Sequence, residues 1–204
     1  MVSAREALQR LRDGNRRFVE DRRDDRIGME TRRRELASGQ EPFAILLGCS
    51  DSRAPAEIVF DQGLGDLVVI RVAGNIVEPS QIGSVEYAAT TFGTRLVVVL
   101  GHTGCGAVAA TIEHLQSPGG ASSENLQSIV EFIRPSVESL IDKGRKPDSL
   151  LDEAVRANIC ASAERLRHAS PIIEDLESNE GLAIVGAEYS LETGVVDFFD
   201  GVPE

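Results

Sequence analysis

The sequence predicts an α/β fold. It has a central, mainly parallel sheet of four strands plus a C-terminal edge strand, flanked by helices and preceded by an N-terminal helical arm. Three observations predict it. From Phe43 onward, short apolar runs alternate with segments of helical period, as in chains of βα units. Leu67–Ile70 and Val97–Leu100 are apolar without alternation, as parallel strands covered on both faces should be. Near the end, Tyr189–Gly194 has turn composition between two strand-like runs, so the last strand should return antiparallel at an edge. The 204 residues are 42% hydrophobic, enough for one domain with a sizeable core. We read residues 1–204 as a single domain, with 1–40 the helical arm and 41–204 the α/β core.

Ser3 and Glu6 have capping-box spacing, and Ala7, Leu8, Leu11, Phe18 and Val19 follow near helical period, which predicts a helix over 4–20. Residues 21–27 are charged and read as a loop, and 29–38 as a short helix ended by Gly39. Arg22, Arg23, Arg26, Arg32, Arg33 and Arg34 are interleaved with acids. They read as a solvated or subunit-contacting face, with an anion site as the alternative. Strands are expected at 43–48, 67–72, 96–100, 182–187 and 195–199. Helices are expected at 55–61, 81–92, 105–115, 124–141, 150–168 and 171–178. Residues 117–123 (SPGGASS) read as a surface loop.

The net charge of −12 argues against nucleic acid or an anionic membrane as the main partner. No apolar stretch reaches the length of a membrane span, and residues 1–27 lack the apolar core of a secretory signal. Three cysteines in such a chain are not a disulfide framework. A cytoplasmic, reducing location is the expectation, and there free thiols serve as metal ligands or nucleophiles.

Two stretches carry chemistry. In CSDSR, Cys49, Asp51 and Arg53 follow the run Ala44–Leu47; in GHTGCG, His102, Cys105 and Gly106 follow the run Val97–Leu100. Both sit where a strand should end, the place where open α/β sheets build sites. If the two strands are neighbours, Cys49, His102 and Cys105 converge. Two thiols and an imidazole form a zinc-type set, and three protein ligands with an open position suit a catalytic ion. Asp51 and Arg53 beside them read either as a structural ion pair or as a carboxylate held ionised to orient a reacting water. Asp51 could also become a fourth ligand if Arg53 released it. Alternatives at this point are a Cys49–Cys105 redox pair, a glycine-rich phosphate turn at Gly101, Gly104 and Gly106, and a metal-holding protein without turnover.

Cys49–Arg53, Arg71–Asn75 (RVAGN) and His102–Gly106 (HTGCG) together resemble the three signatures of the β-class carbonic anhydrases, in the bacterial, plant-like subgroup. The resemblance runs from about residue 5 to 199 and includes the stretch 186–194 (GAEYSLETG). It implies a lyase that hydrates carbon dioxide reversibly to bicarbonate and a proton, by attack of zinc-bound hydroxide, with one zinc ion per subunit. It implies Cys49, His102 and Cys105 as the zinc ligands and Asp51 with Arg53 as the catalytic dyad. Gln40, Val68, Tyr87 and Gly106 would be substrate-side positions, Val68 standing where the subgroup often has phenylalanine. Hydrolysis of carbon disulfide or carbonyl sulfide is a related chemistry of that scaffold. A homodimer or dimer of dimers is implied, with the cleft at the subunit interface. Relatives with a bicarbonate-locked, closed zinc site carry a tryptophan three residues before the first cysteine. That position is Leu46 here and the chain has no tryptophan, so the open form is expected.

Overall fold

The structure, a computed structural model, describes residues 2–22, 29–117, 123–141 and 147–203. The elements, in order, are α1 (Ala4–Val19), α2 (Met29–Leu36), β1 (Ala44–Cys49), α3 (Ala56–Val59), β2 (Leu67–Val72), a single 3-10 turn (Ala73–Asn75), α4 (Pro79–Thr91), β3 (Leu96–His102), α5 (Gly106–Gln116), α6 (Glu124–Ile141), α7 (Pro147–Arg167), α8 (Pro171–Asn179), β4 (Ala183–Tyr189) and β5 (Val196–Asp200). Most of the expected loops at 21–27 and 117–123 lies outside the described residues, as do Arg23 and Arg26.

The five strands form one sheet in the order β2-β1-β3-β4-β5. The first four are parallel and β5 is antiparallel to β4. Side chains alternate between the faces, as strand geometry requires. Ile45, Leu47 and Cys49 with Val97 and Val99 join a core under α4 to α8, whereas Ala44, Leu46, Val98 and Leu100 join a second core under α1 and α3. The sheet is thus covered on both faces, which is why its central strands read as unbroken apolar runs.

Ser3 accepts a hydrogen bond from the Glu6 N–H at 3.2 Å and starts α1. Ala7, Leu8 and Leu11 are buried against this chain's own sheet. Gly14 lets α1 approach α3 closely, since a Cβ there would lie 1.8 Å from the Phe60 carbonyl oxygen. Asn15 ties the layers together: its Nδ2 donates to the carbonyls of Val59 and Gly194 at 3.1 and 2.8 Å, and its Oδ1 accepts from the Val196 N–H at 2.9 Å.

Differences from expectation lie at element ends. Helix α4 begins at Pro79 rather than 81, because Pro suits a first helical position and Glu78 with Gln81 closes a capping box. Strand β3 continues two residues beyond the expected end, through His102, because β4 pairs with it up to Tyr189. Of the arginines in the N-terminal region, Arg32 donates to the Leu64 carbonyl and lies 3.4 Å from Asp66, and Arg34 bonds Glu30. Among the described residues, no helix is long and apolar enough to cross a membrane.

Candidate metal centre

Strands β1 and β3 are neighbours in parallel register, Gly48 opposite Leu100. From β1 the chain passes to β2 on one side and later returns to β3 on the other. Connections therefore diverge between β1 and β3, leaving a crevice at their carboxyl ends. Cys49 and His102 are the last residues of those strands, and Cys105 occupies the N-cap position of α5.

One ligand atom from each of Cys49, His102 and Cys105 lies within 4.8 Å of the others. The two sulfurs are 4.0 Å apart. All three residues are buried, His102 completely. Nδ1 of His102 is 3.0 Å from the Thr103 carbonyl, to which it donates; this leaves Nε2 free to act as a lone-pair donor. Nε2 is buried and has no hydrogen-bond partner. The Cys105 S–H beside it pulls the Cys49 thiol down to about 4; burial works the other way, and the His102 ring and the backbone N–H groups of Asp51 and Gly74 add to the lowering. The bond to Cys49 and burial push the Cys105 thiol up. Cys49 Sγ also accepts from the Gly74 N–H at 3.4 Å, a contact that favours its thiolate.

The loop after Cys49 is held by two arginines. Arg53 donates from Nε and Nη2 to the two oxygens of Asp51, at 2.9 and 2.8 Å, and its backbone N–H donates to Oδ1 at 2.9 Å. This fork holds the Asp51 carboxyl well below the usual carboxylate range. Oδ2 of Asp51 lies 3.8 Å from Nε2 of His102. Arg71 donates to the carbonyls of Cys49 and Asp51, at 3.1 and 2.5 Å, and so spans the loop from β2. On the other side, Thr103 fixes the His102 loop to the β4–β5 hairpin, its Oγ1 accepting from the Leu191 N–H at 3.0 Å. Sequence reasoning assigned no role to Arg71 or Thr103, although both lie inside the quoted motifs.

The remaining residues singled out in the sequence divide. Gly106 is the first residue of α5, exposed beside Cys105. With Ala73 it borders an open cleft of about 640 Å³ between α5 and α6. Gln40, Val68 and Tyr87 are not gathered there within one chain. Gln40 is exposed and precedes β1, so the whole strand, at about 3.3 Å per residue, separates it from Cys49. Val68 pairs with Ile45, near the opposite end of the sheet from Cys49. Tyr87 is 60% exposed on α4, edge-on to Phe92.

Comparison with known proteins bears on this arrangement. The family model for carbonic anhydrase matches residues 44–196. A carbonic anhydrase of Mycolicibacterium smegmatis is 41% identical over 193 residues, covering 94% of this chain and 91% of that protein. Carbonic anhydrase 2 of Mycobacterium tuberculosis is 39% identical over 191 residues, covering 92% and 89%. The structure of the β-carbonic anhydrase CcaA superposes with a TM-score of 0.72 at 27% identity, covering 95% of each chain. The match in sequence spans β1 to the start of β5 and both loops that carry the thiols, and the match in structure covers nearly the whole chain: the chain belongs to the carbonic anhydrase family, as a bacterial member of its β class.

Proposed function

We propose that this protein is a zinc enzyme that interconverts carbon dioxide and bicarbonate, with one zinc ion per subunit held by Cys49, His102 and Cys105. The observation that carries the reading is the convergence of two sulfurs and one orphaned, buried imidazole nitrogen at the end of β1 and β3. The donor set fits zinc. Two bonds of about 2.3 Å at a tetrahedral angle span about 3.8 Å, close to the 4.0 Å between the sulfurs. Zinc with three protein ligands keeps a position for water and lowers the pKa of that water toward neutrality.

The chain's own groups do the rest. Asp51, kept ionised by Arg53, accepts a hydrogen bond from the reacting water at Oδ2 and orients it. While Arg53 holds both oxygens, Asp51 is kept from joining the ligand set. The Gly106 N–H, the first of α5, binds an oxygen of bicarbonate. A leucine at position 46, where relatives with a closed site carry tryptophan, supports the open form of the site.

A second copy of the chain completes the pocket. Strand β2 is an edge strand whose residues Leu67–Ile70 remain half-buried, and Tyr87 stands exposed on the adjacent α4. Covering this edge with its own symmetry mate gives an isologous dimer. Gln40, Val68 and Tyr87 of that second copy then face the site of the first. A dimer of dimers is compatible with the same contact. Unpaired cysteines fit a cytoplasmic location.

Metal analysis and stopped-flow hydration of carbon dioxide on the same sample test this reading. About one zinc per chain with rapid hydration is expected. A metal-free protein, or a zinc-loaded one without hydration, contradicts it.

A further inference from the structure

Helix α7 carries a buried amide that neither the motifs nor the ligand set uses. Asn158 is 2% exposed. An asparagine in mid-helix lowers helix propensity, and once buried it must find partners away from water. Its Nδ2 donates to the Gly74 carbonyl at 2.8 Å. Gly74 in turn donates its N–H to Cys49 Sγ at 3.4 Å. An amide 84 residues along the chain thus reaches the back of the turn that holds the first thiol.

Both ends of this relay are firmly seated. Ile159, next to Asn158, fills space left by two glycines: a Cβ on Gly101 would lie 2.5 Å from its Cδ1, and one on Gly186 3.0 Å from its Cγ2. Gly74 has φ +69°, and a Cβ there would lie 2.7 Å from Ile133. The turn therefore needs glycine, and glycine brings freedom that must be restrained from outside.

We infer that Asn158 is a positioning residue for the metal centre: by holding the Gly74 carbonyl it keeps the Gly74 N–H on Cys49 Sγ, and so sets how strongly that sulfur donates to the metal. The inference rests on the zinc reading above. A hydrogen bond to a metal-bound sulfur draws electron density from it, as groups just outside the ligand set generally do.

Asn158→Leu keeps the volume and removes the donor. In the cobalt(II)-substituted protein, the sulfur-to-metal charge-transfer band should move to longer wavelength. Zinc binding, measured against a chromophoric chelator, should weaken about 10-fold, because the freed turn no longer holds Cys49 in place. A purely structural role would lower the melting temperature and leave the band in place. A folded Asn158→Leu with unchanged band and affinity overturns the inference. Wild-type protein loaded with cadmium-113 gives a test that needs no variant: the Gly74 amide proton should show scalar coupling to the metal through the sulfur, and its absence overturns the inference as well. A wild type that takes up none of the three cations overturns the zinc reading itself.

Discussion

Arg53 grips both oxygens of Asp51, while the outer oxygen of the same carboxylate lies 3.8 Å from the unpaired nitrogen of His102. In the mechanism proposed above, one guanidinium decides whether this carboxylate orients water or joins the ligands. Arg53→Ala should keep its zinc and lose hydration by roughly 100-fold. Metal analysis beside stopped-flow kinetics checks this, and normal turnover in the variant would remove Asp51 and Arg53 from the mechanism.

Cys49→Ala and His102→Ala should each lose the metal, because two remaining ligands cannot complete a zinc site. The wild type stripped by a chelator should melt at a lower temperature and recover on adding zinc. A cation at a thousandfold its dissociation constant stabilises the fold by about 4 kcal/mol. Identical melting with and without zinc would contradict a site formed by Cys49, His102 and Cys105.

Tyr87→Ala should reduce turnover far less than loss of a ligand, within about tenfold. Because Tyr87 is proposed to face a second copy, the variant should also shift sedimentation toward the monomer. A variant that remains fully dimeric and fully active would place Tyr87 outside the interface.

Asn15→Ala removes three hydrogen bonds that join α1 to Val59, Gly194 and Val196. Buried groups left without partners cost about 1–3 kcal/mol each, so urea unfolding should show a loss of roughly 3 kcal/mol or more. A loss below about 1 kcal/mol would mean that water replaces the amide at little cost.

Burial pushes the Glu188 carboxyl up, against the pull of Arg156. Its Oε1 has no hydrogen-bond partner. The folded state then holds this proton more tightly than the unfolded chain. Stability from the group is present below the unfolded value and is lost as pH rises through the folded one. Glu188→Gln should flatten that decline in a series of urea titrations from pH 4 to 7. An unchanged slope would show that Glu188 ionises in the fold as it does in the unfolded chain.

The sheet was legible because its central strands are covered on both faces, and long apolar runs such as Val97–Leu100 have no other use in a parallel sheet. The convergence of Cys49 with His102 followed from their places at strand ends, once β1 and β3 proved to be neighbours. Helix starts were less legible: Pro79 and Pro147 open α4 and α7 earlier than apolar periodicity alone suggests. Gln40, Val68 and Tyr87 could not be placed from sequence, because one chain sets Gln40 and Val68 toward the far end of the strands and leaves Tyr87 exposed. Asn158 gave no signal beyond a polar residue in an apolar helical stretch; its meaning depends on Gly74, which only the fold brings beside it.

Zinc titrated back into chelator-stripped protein tests the central reading most directly. Hydration of carbon dioxide should rise in proportion to added zinc and level off at about one ion per chain, in keeping with a single three-ligand site. Activity that is independent of zinc, or absent at full loading, would contradict it.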